Sequence, residues 1–393
     1  MHDVIALTKH FVGVPSPNLP GDERKIAAAI IDFAQSSGLT DFRVVAKEQH
    51  RPNILVDLDF GPGGRHLALS GHIDTKPVGN AEWMTDPFVA EVIDGNLHGL
   101  GTCDMKGAVA AMLIAAANVS QNAPSRGRLT LVFTADEEYG SQFGSRYLAE
   151  EKLVKADAIV IGEPGGILTD WDMLNIMSRG IANVYIDVKG RQGHSSLSQV
   201  KGYQFATLAM AHVMQAFAKN FHPSYPTNAL NVGPTVNSGV MIEGGVGFGV
   251  VPGLASFASD IRLVPGMNRE TFELELTEFL DTFASEGISA SARFELAPRD
   301  WLPPTAVSPE DPVVASCQRA VEKTLGGSLP LSAFPGTTDA CWLQGMLGIP
   351  TLPAFGPGLL EYAHAADERV SISALKQSVP IYETLIRDFC EMD

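Results

Sequence analysis

The sequence predicts an α/β protein: one larger layered α/β domain with a small α+β module inserted into it. Three observations carry this. Between residues 42 and 161, short and nearly continuous apolar runs alternate with helical stretches, as buried strands alternate with helices that cover a sheet. Near Arg179 the pattern switches to apolar/polar alternation, and from Asp311 on the helix and apolar strand signals return. The expected division is a larger domain over residues 1–177 and 298–393, with the inserted module over 178–297. At roughly 100–200 residues per domain, a chain of 393 residues accommodates two or three such bodies.

Taken in order, residues Asp22 to Ser37 place Ile26, Ile30, Phe33 and Ala34 at helical spacing, and Ser36-Ser37-Gly38 supplies a stop. Phe42 to Ala46, Asn53 to Phe60, Arg65 to Ser70, Leu129 to Thr134 and Ala156 to Ile161 read as strands, with helices expected at Lys106–Ser120 and Gly140–Lys152. In the inserted module, Ile181–Lys189 and Ala255–Val264 alternate as half-exposed strands and Ser289–Leu296 is a further strand. Gln204–Ala218 and Arg269–Ala284 are helical. That order suits a ferredoxin-like α+β unit around one antiparallel sheet.

The charge balance excludes several function classes. With 28 basic against 45 acidic side chains the net charge is −17, and such a surface repels phosphate backbones and anionic lipid. Nucleic acid and membranes are therefore not expected partners, whereas cations are. The start, Met1-His2-Asp3-Val4-Ile5, lacks the basic and apolar segments of a secretory signal, and no uncharged apolar run reaches the roughly 18 residues that span a bilayer. The Ala-rich run Ala108 to Val119 reads as a buried helix. Cys103, Cys317, Cys341 and Cys390 form no CxxC pair, which fits reduced thiols in a cytoplasmic protein.

Residues that can hold a metal sit where the apolar strands end. Leu67 to Gly71 runs into His72-Ile73-Asp74, Leu131 to Ala135 into Asp136-Glu137-Glu138, and Ile159 to Gly162 into Glu163. In open α/β sheets the carboxyl ends of strands form the ligand crevice, so these side chains are placed to converge. Asp104 precedes the Ala-rich helix, and His364 follows late in the chain. Two imidazoles and three carboxylates make a mixed N/O set suited to Zn²⁺ and related divalent ions. Five donors exceed the three usual at one catalytic zinc and suggest two metals sharing a carboxylate. Asp74 is placed to accept the free N–H of His72 and fix its tautomer.

These motifs resemble the M20 metallopeptidase family, and within it the acetylornithine deacetylase / succinyl-diaminopimelate desuccinylase branch. The resemblance rests on Ser70-Gly71-His72-Ile73-Asp74-Thr75, Gly101-Thr102-Cys103-Asp104-Met105-Lys106-Gly107, Thr134-Ala135-Asp136-Glu137-Glu138 and Gly162-Glu163-Pro164. It continues through Gly193-His194-Ser195-Ser196, Asp260-Ile261-Arg262, Gly336-Thr337-Thr338-Asp339 and Ala363-His364-Ala365-Ala366-Asp367-Glu368. It implies a zinc-peptidase-like catalytic domain and a lid and dimerisation module, with two Zn²⁺ per subunit that Co²⁺ or Mn²⁺ can replace. His72 and Glu163 would serve one ion, Glu138 and His364 the other, and Asp104 both.

The same resemblance implies Glu137 as general acid/base, with Asp74 beside His72 in the catalytic set. It also implies His194 as an oxyanion donor reaching a partner subunit's site, and Arg262 with Gly336, Thr337 and Thr338 as holders of a substrate carboxylate. The implied reaction is hydrolysis of the amide of an N-acyl amino acid, by a homodimer. A dipeptidase or carboxypeptidase of the same family differs only in what occupies the acyl side, and a non-catalytic paralogue is disfavoured by the intact donor set. One departure concerns specificity: many relatives carry Asn before Val-Val-Pro, where this chain has Phe248-Gly249 before Val250-Val251-Pro252. Other chemistries lack their motifs. Gly99-Leu100-Gly101 begins a dinucleotide fingerprint but reaches Asp104 at the sixth position, and neither a Walker Gly-Lys-Ser/Thr nor a Gly-x-Ser-x-Gly elbow occurs.

Overall fold

The computed structural model describes residues 2–393, which divide into two compact units, residues 2–178 with 305–393 and residues 179–304. The larger unit is built on a six-stranded mixed sheet. Its order is Phe42–Val45, Asn53–Gly61, Gly127–Thr134, His66–His72, Ala158–Ile161 and Thr351–Leu352. The last four strands run parallel, with Leu69 opposite Leu131 on one side and Val160 on the other, and the first two are antiparallel. Their side chains are apolar on both faces because both faces are covered. On one face Ala68, Val132 and Ile159 pack with Leu148 and Leu343 from the helices Ser145–Glu150 and Ala340–Leu347.

Helix Gly107–Gln121 also packs on this sheet, with Ile372–Cys390 beside it. The stretch Thr102–Gln121 is long and apolar enough to cross a bilayer by composition alone, yet it is buried inside the unit and reads as a core helix. Gly71 lets it approach the strand: a β-carbon there would meet Met105 at 2.6 Å and Val109 at 3.2 Å. Two elements differ from expectation. Helix Val4–Val12, capped by Asp3, was not anticipated, although Val4, Leu7, Phe11 and Val12 bury one helical face. The helix expected over Gly140–Lys152 shortens to Ser145–Glu150, because residues 136–144 form a loop tied down by polar side chains.

The smaller unit is ferredoxin-like. Strands Gly180–Lys189, Thr235–Gly244, Leu254–Leu263 and Ser289–Phe294 pair antiparallel throughout, in the spatial order second, third, first, fourth, with helices Ala206–Asn220 and Arg269–Asp281 on the sheet. Ala182, Val184, Ile186 and Val188 alternate inward as the period of two demands and meet Phe217, Phe257 and Phe272 in the core. The unit ends after Pro304 rather than after residue 297, because Trp301–Leu302 adds to the sheet opposite Ala182 and Ile181. Strand Thr235–Gly244 had no clear sequence signal. It lies at the sheet edge with most of its residues exposed, so no buried face writes an alternation into it.

Candidate metal centre

Each donor is placed by a local device. His72 closes a buried strand, and the chain then turns through Ile73 to Asp74. Asp104 lies in a turn that starts at left-handed Gly101 (φ 84°), where a β-carbon would run into Thr75 at 2.8 Å. The buried carboxylate of Glu368 holds this turn, accepting the amides of Gly101 at 3.0 Å and of Cys103 and Asp104 at 2.9 Å each. Three donated N–H groups oppose the burial that lifts the Glu368 carboxyl to about 8, an effect to which Asp104 adds.

The Glu137-Glu138 turn is held in the same manner from two sides. Asp136, left-handed at φ 66°, accepts Arg51 Nη2 at 2.5 Å, Asn18 Nδ2 at 3.0 Å and the Phe143 amide at 3.1 Å. Asp74 accepts Asn18 Nδ2 at 2.8 Å and the amides of Glu137 and Glu138 at 3.2 Å each. Arg51 is also ion-paired to fully buried Glu23 at 3.0 Å. Asp339 fastens the far side of the turn, taking the hydroxyls of Ser141 at 2.6 Å, Ser145 at 2.5 Å and Thr134 at 2.8 Å. A turn so fully bonded presents its two glutamates in fixed directions.

Two clusters result. In one, His72 Nε2 lies 2.8 Å from Asp104 Oδ1 and 3.6 Å from Glu163 Oε1. In the other, His364 Nε2 lies 3.0 Å from Glu138 Oε2 and 3.2 Å from Asp104 Oδ2. Asp104 thus gives one oxygen to each, and within each cluster the donor atoms lie within 4.8 Å of one another. The other nitrogen of His72 meets Asp74 as expected, although the backbone carbonyl at 3.0 Å is nearer than the carboxylate at 3.5 Å. Glu137, next in the chain to the donor Glu138, is near enough to His72, Asp104 and Glu138 to feel their charges, and its carboxylate makes no hydrogen bond among the described residues.

The electrostatics are those of negative charge gathered in a poorly solvated crevice. Burial lifts the Glu163 carboxyl well above the carboxylate range, with Asp104 adding to it and His72 opposing. Burial does the same to Glu137; His72 opposes it, and Asp339, Glu138 and Asp104 reinforce it. Against their own burial, His72 is held protonated by Asp104 and Asp74, and His364 rises to about 10 beside Asp104 and Glu138. Asp104 is driven down by the same two imidazoles despite its burial. These shifts mark an excess of carboxylate charge that, without a metal, only protonated imidazoles offset; a divalent ion would take the place of those protons and leave both imidazoles neutral. The N/O donors, grouped around one shared carboxylate, fit a pair of divalent ions.

The remaining expected residues are placed elsewhere. Thr338 is buried and its hydroxyl accepts the Ala340 amide at 3.3 Å, while a β-carbon on Gly336 would meet the Phe334 ring at 2.9 Å. His194 and Arg262 belong to the 179–304 unit. His194 is exposed with Nδ1 2.8 Å from Ser196 Oγ, and Arg262 pairs with Asp260 at 2.8 Å. Arg179, not singled out from the sequence, is near enough to Arg262 to feel its charge. Asn18, Arg51, Asp136, Asp339 and Glu368 were likewise assigned no role; for Glu368 the available signal was its place four residues after His364.

Comparison with known proteins agrees with this geometry. The chain is 31% identical over 395 residues to a succinyl-diaminopimelate desuccinylase of Rhizorhabdus wittichii, covering 98% of each. Its fold matches an M20 family metallo-carboxypeptidase, Sso-CP2 of Sulfolobus solfataricus, with a TM-score of 0.78 and 18% identity over the whole of both chains. It also matches the YXEP protein of Bacillus subtilis, a dinuclear metal binding peptidase from the M20 family, with a TM-score of 0.72, 15% identity and 99% and 98% coverage. The profile of peptidase family M20/M25/M40 spans residues 68–388, which include every donor from His72 to His364. With that span matched and a metal-capable crevice inside it, the chain belongs to peptidase family M20/M25/M40 and is a metal-dependent hydrolase.

Proposed function

We propose that the protein is a di-zinc amidohydrolase that removes the acyl group of an N-acyl amino acid, in the manner of a deacetylase or desuccinylase. The observation that carries this is Asp104, which presents one oxygen to each cluster, with the unbonded carboxylate of Glu137 near enough to feel the charges of His72, Asp104 and Glu138. In this reading His72, Asp104 and Glu163 hold one zinc, and Asp104, Glu138 and His364 the other. Zinc bound there supplies positive charge that lowers the pKa of water toward about 7 and polarises the amide carbonyl. Glu137 takes the proton of the attacking water and delivers it to the leaving nitrogen. A carboxyl raised by burial and by like charges is suited to both transfers. Asp74 orients His72 and, through the Glu137 and Glu138 amides, the turn that carries the base.

His194, Arg262, Gly336, Thr337 and Thr338 keep, in this proposal, the oxyanion and carboxylate roles that the family resemblance implies. A second guanidinium, that of Arg179, near enough to Arg262 to feel its charge, supports an anionic ligand. The desuccinylase relative, aligned over nearly the full length, supports an N-acyl substrate. Initial rates on N-acetyl, N-succinyl and aminoacyl amino acids, measured on zinc-loaded protein, test the reading. N-acyl compounds are expected to be cleaved at least about tenfold faster; a preference for aminoacyl compounds would make the protein a dipeptidase or carboxypeptidase instead.

We place the reaction in the cytoplasm, a reading supported by four buried thiols, all unpaired. Fractionation of the source cells tests this, and recovery outside the cytoplasm would refute it. A homodimer formed through strand Thr235–Gly244 is also part of the proposal. This edge strand pairs on one side only among the described residues and exposes Val240, Met241 and Ile242, a surface suited to a second copy. Light scattering is expected to give about twice the 41.9 kDa of the chain; a monomer mass would remove the dimer from the proposal.

A further inference from the structure

One cation of the chain itself already stands at this site. Lys76, two residues after Asp74, places Nζ 2.9 Å from Glu138 Oε2, the oxygen that also faces His364 Nε2 at 3.0 Å. The same ammonium donates to the backbone carbonyl of Glu138 at 2.6 Å. The second bond matters because it does not depend on what the carboxylate does. A divalent ion that draws Oε2 to itself still leaves Nζ anchored to the same residue. About a third of the Lys76 side chain is exposed, whereas that of Glu138 is almost wholly buried, so a partly solvated ammonium meets a buried carboxylate.

Among the described residues, no lysine or arginine is paired with a donor of the other cluster. His72, Asp104 and Glu163 are all buried; apart from one another, His72 meets the carboxylate of Asp74 and Asp104 meets His364, itself a donor of the second cluster. The two clusters thus share Asp104 and differ in the sign of what stands next to them: a carboxylate beside the first, an ammonium beside the second. An ion bound to Oε2 at a usual zinc–oxygen distance of about 2 Å would be no more than about 5 Å from Nζ. Over that separation, in a partly solvated site, a single charge repels a divalent ion strongly enough to change its affinity by an order of magnitude or more.

We infer that Lys76 sets the loading of the two metals: its ammonium weakens the Asp104–Glu138–His364 site, so the His72–Asp104–Glu163 site fills first and the second ion is the exchangeable one. This rests on the two-metal reading above and adds to it a residue that controls occupancy without being a ligand.

The test is calorimetric titration of Zn²⁺ into the full-length, metal-stripped protein, comparing wild type with Lys76→Met, Lys76→Gln and Lys76→Arg. Wild type is expected to show two events of unequal affinity. Lys76→Met and Lys76→Gln are expected to tighten the weaker event by about tenfold or more and the tighter one by less than about threefold, whereas Lys76→Arg, which keeps the charge, stays near wild type. Two neutral variants guard against a fold defect peculiar to one of them. Two events whose weaker affinity stays within twofold of wild type, or falls, in both neutral variants would overturn the inference and leave the two-metal reading standing. A single event that takes up two zincs per chain in wild type would overturn the inference alone, and a single event of one zinc per chain in every protein up to millimolar zinc would refute the two-metal reading and this inference together.

Discussion

Glu137→Gln is expected to lower kcat on the preferred N-acyl amino acid by roughly 10²–10⁴-fold, the span that a positioned general base contributes, while metal content stays at wild type. The substitution keeps the shape of the side chain and removes only its ability to accept a proton. Its structural cost is small, because the Glu137 carboxylate makes no hydrogen bond among the described residues and belongs to neither donor cluster. The turn is held instead through backbone amides on Asp74 and through Asp136 and Asp339, which the substitution leaves in place. KM should therefore move far less than kcat. Steady-state kinetics paired with elemental analysis of the same sample is the measurement. Wild-type turnover with two zincs bound would move the base to another group.

The contrast between Glu137 and its supports also shows what a sequence makes legible. Donors at strand ends are readable because two local signals coincide: a run of apolar residues that must be buried, and a polar residue at its end or within a few positions of it. His72, Glu138 and Glu163 all have that form, and the structure gathers them with Asp104 and His364. The residues that hold them carry no such signature. Arg51 reaches Asp136 across 85 positions, Asn18 reaches the same carboxylate across 118, and Asp339 meets Ser141 across 198. Each is a single polar residue whose burial and partner exist only once the chain has folded. The same reason hid strand Thr235–Gly244: a strand without a buried face leaves no period of two to read. Conversely, the alternation of Gly180–Lys189 was plain because every second residue enters the core of the smaller unit.

Asp104→Asn is expected to be more damaging than the loss of any other single donor, because its two oxygens serve two clusters. Oδ1 faces His72 and Oδ2 faces His364, so an amide leaves one uncharged oxygen for one cluster and presents N–H groups to the other. Each imidazole then keeps its own nitrogen donor but loses the anionic oxygen beside it that would share its metal. Changes to groups that merely orient a ligand cost about 10–100-fold in metal affinity, and removing a shared donor should cost at least that at each site. Glu163→Gln, by comparison, should spare the Asp104–Glu138–His364 cluster and retain close to one ion. The turn itself should survive the Asp104 change, since Glu368 grips it through the amides of Gly101, Cys103 and Asp104 rather than through the side chain. Zinc-to-protein ratios measured by equilibrium dialysis against free zinc that saturates both wild-type sites separate the cases: below one for Asp104→Asn and near one for Glu163→Gln. An Asp104→Asn protein that retains two ions as tightly as wild type would mean that the two clusters do not share this carboxylate, and the single observation supporting the di-zinc reading would be lost.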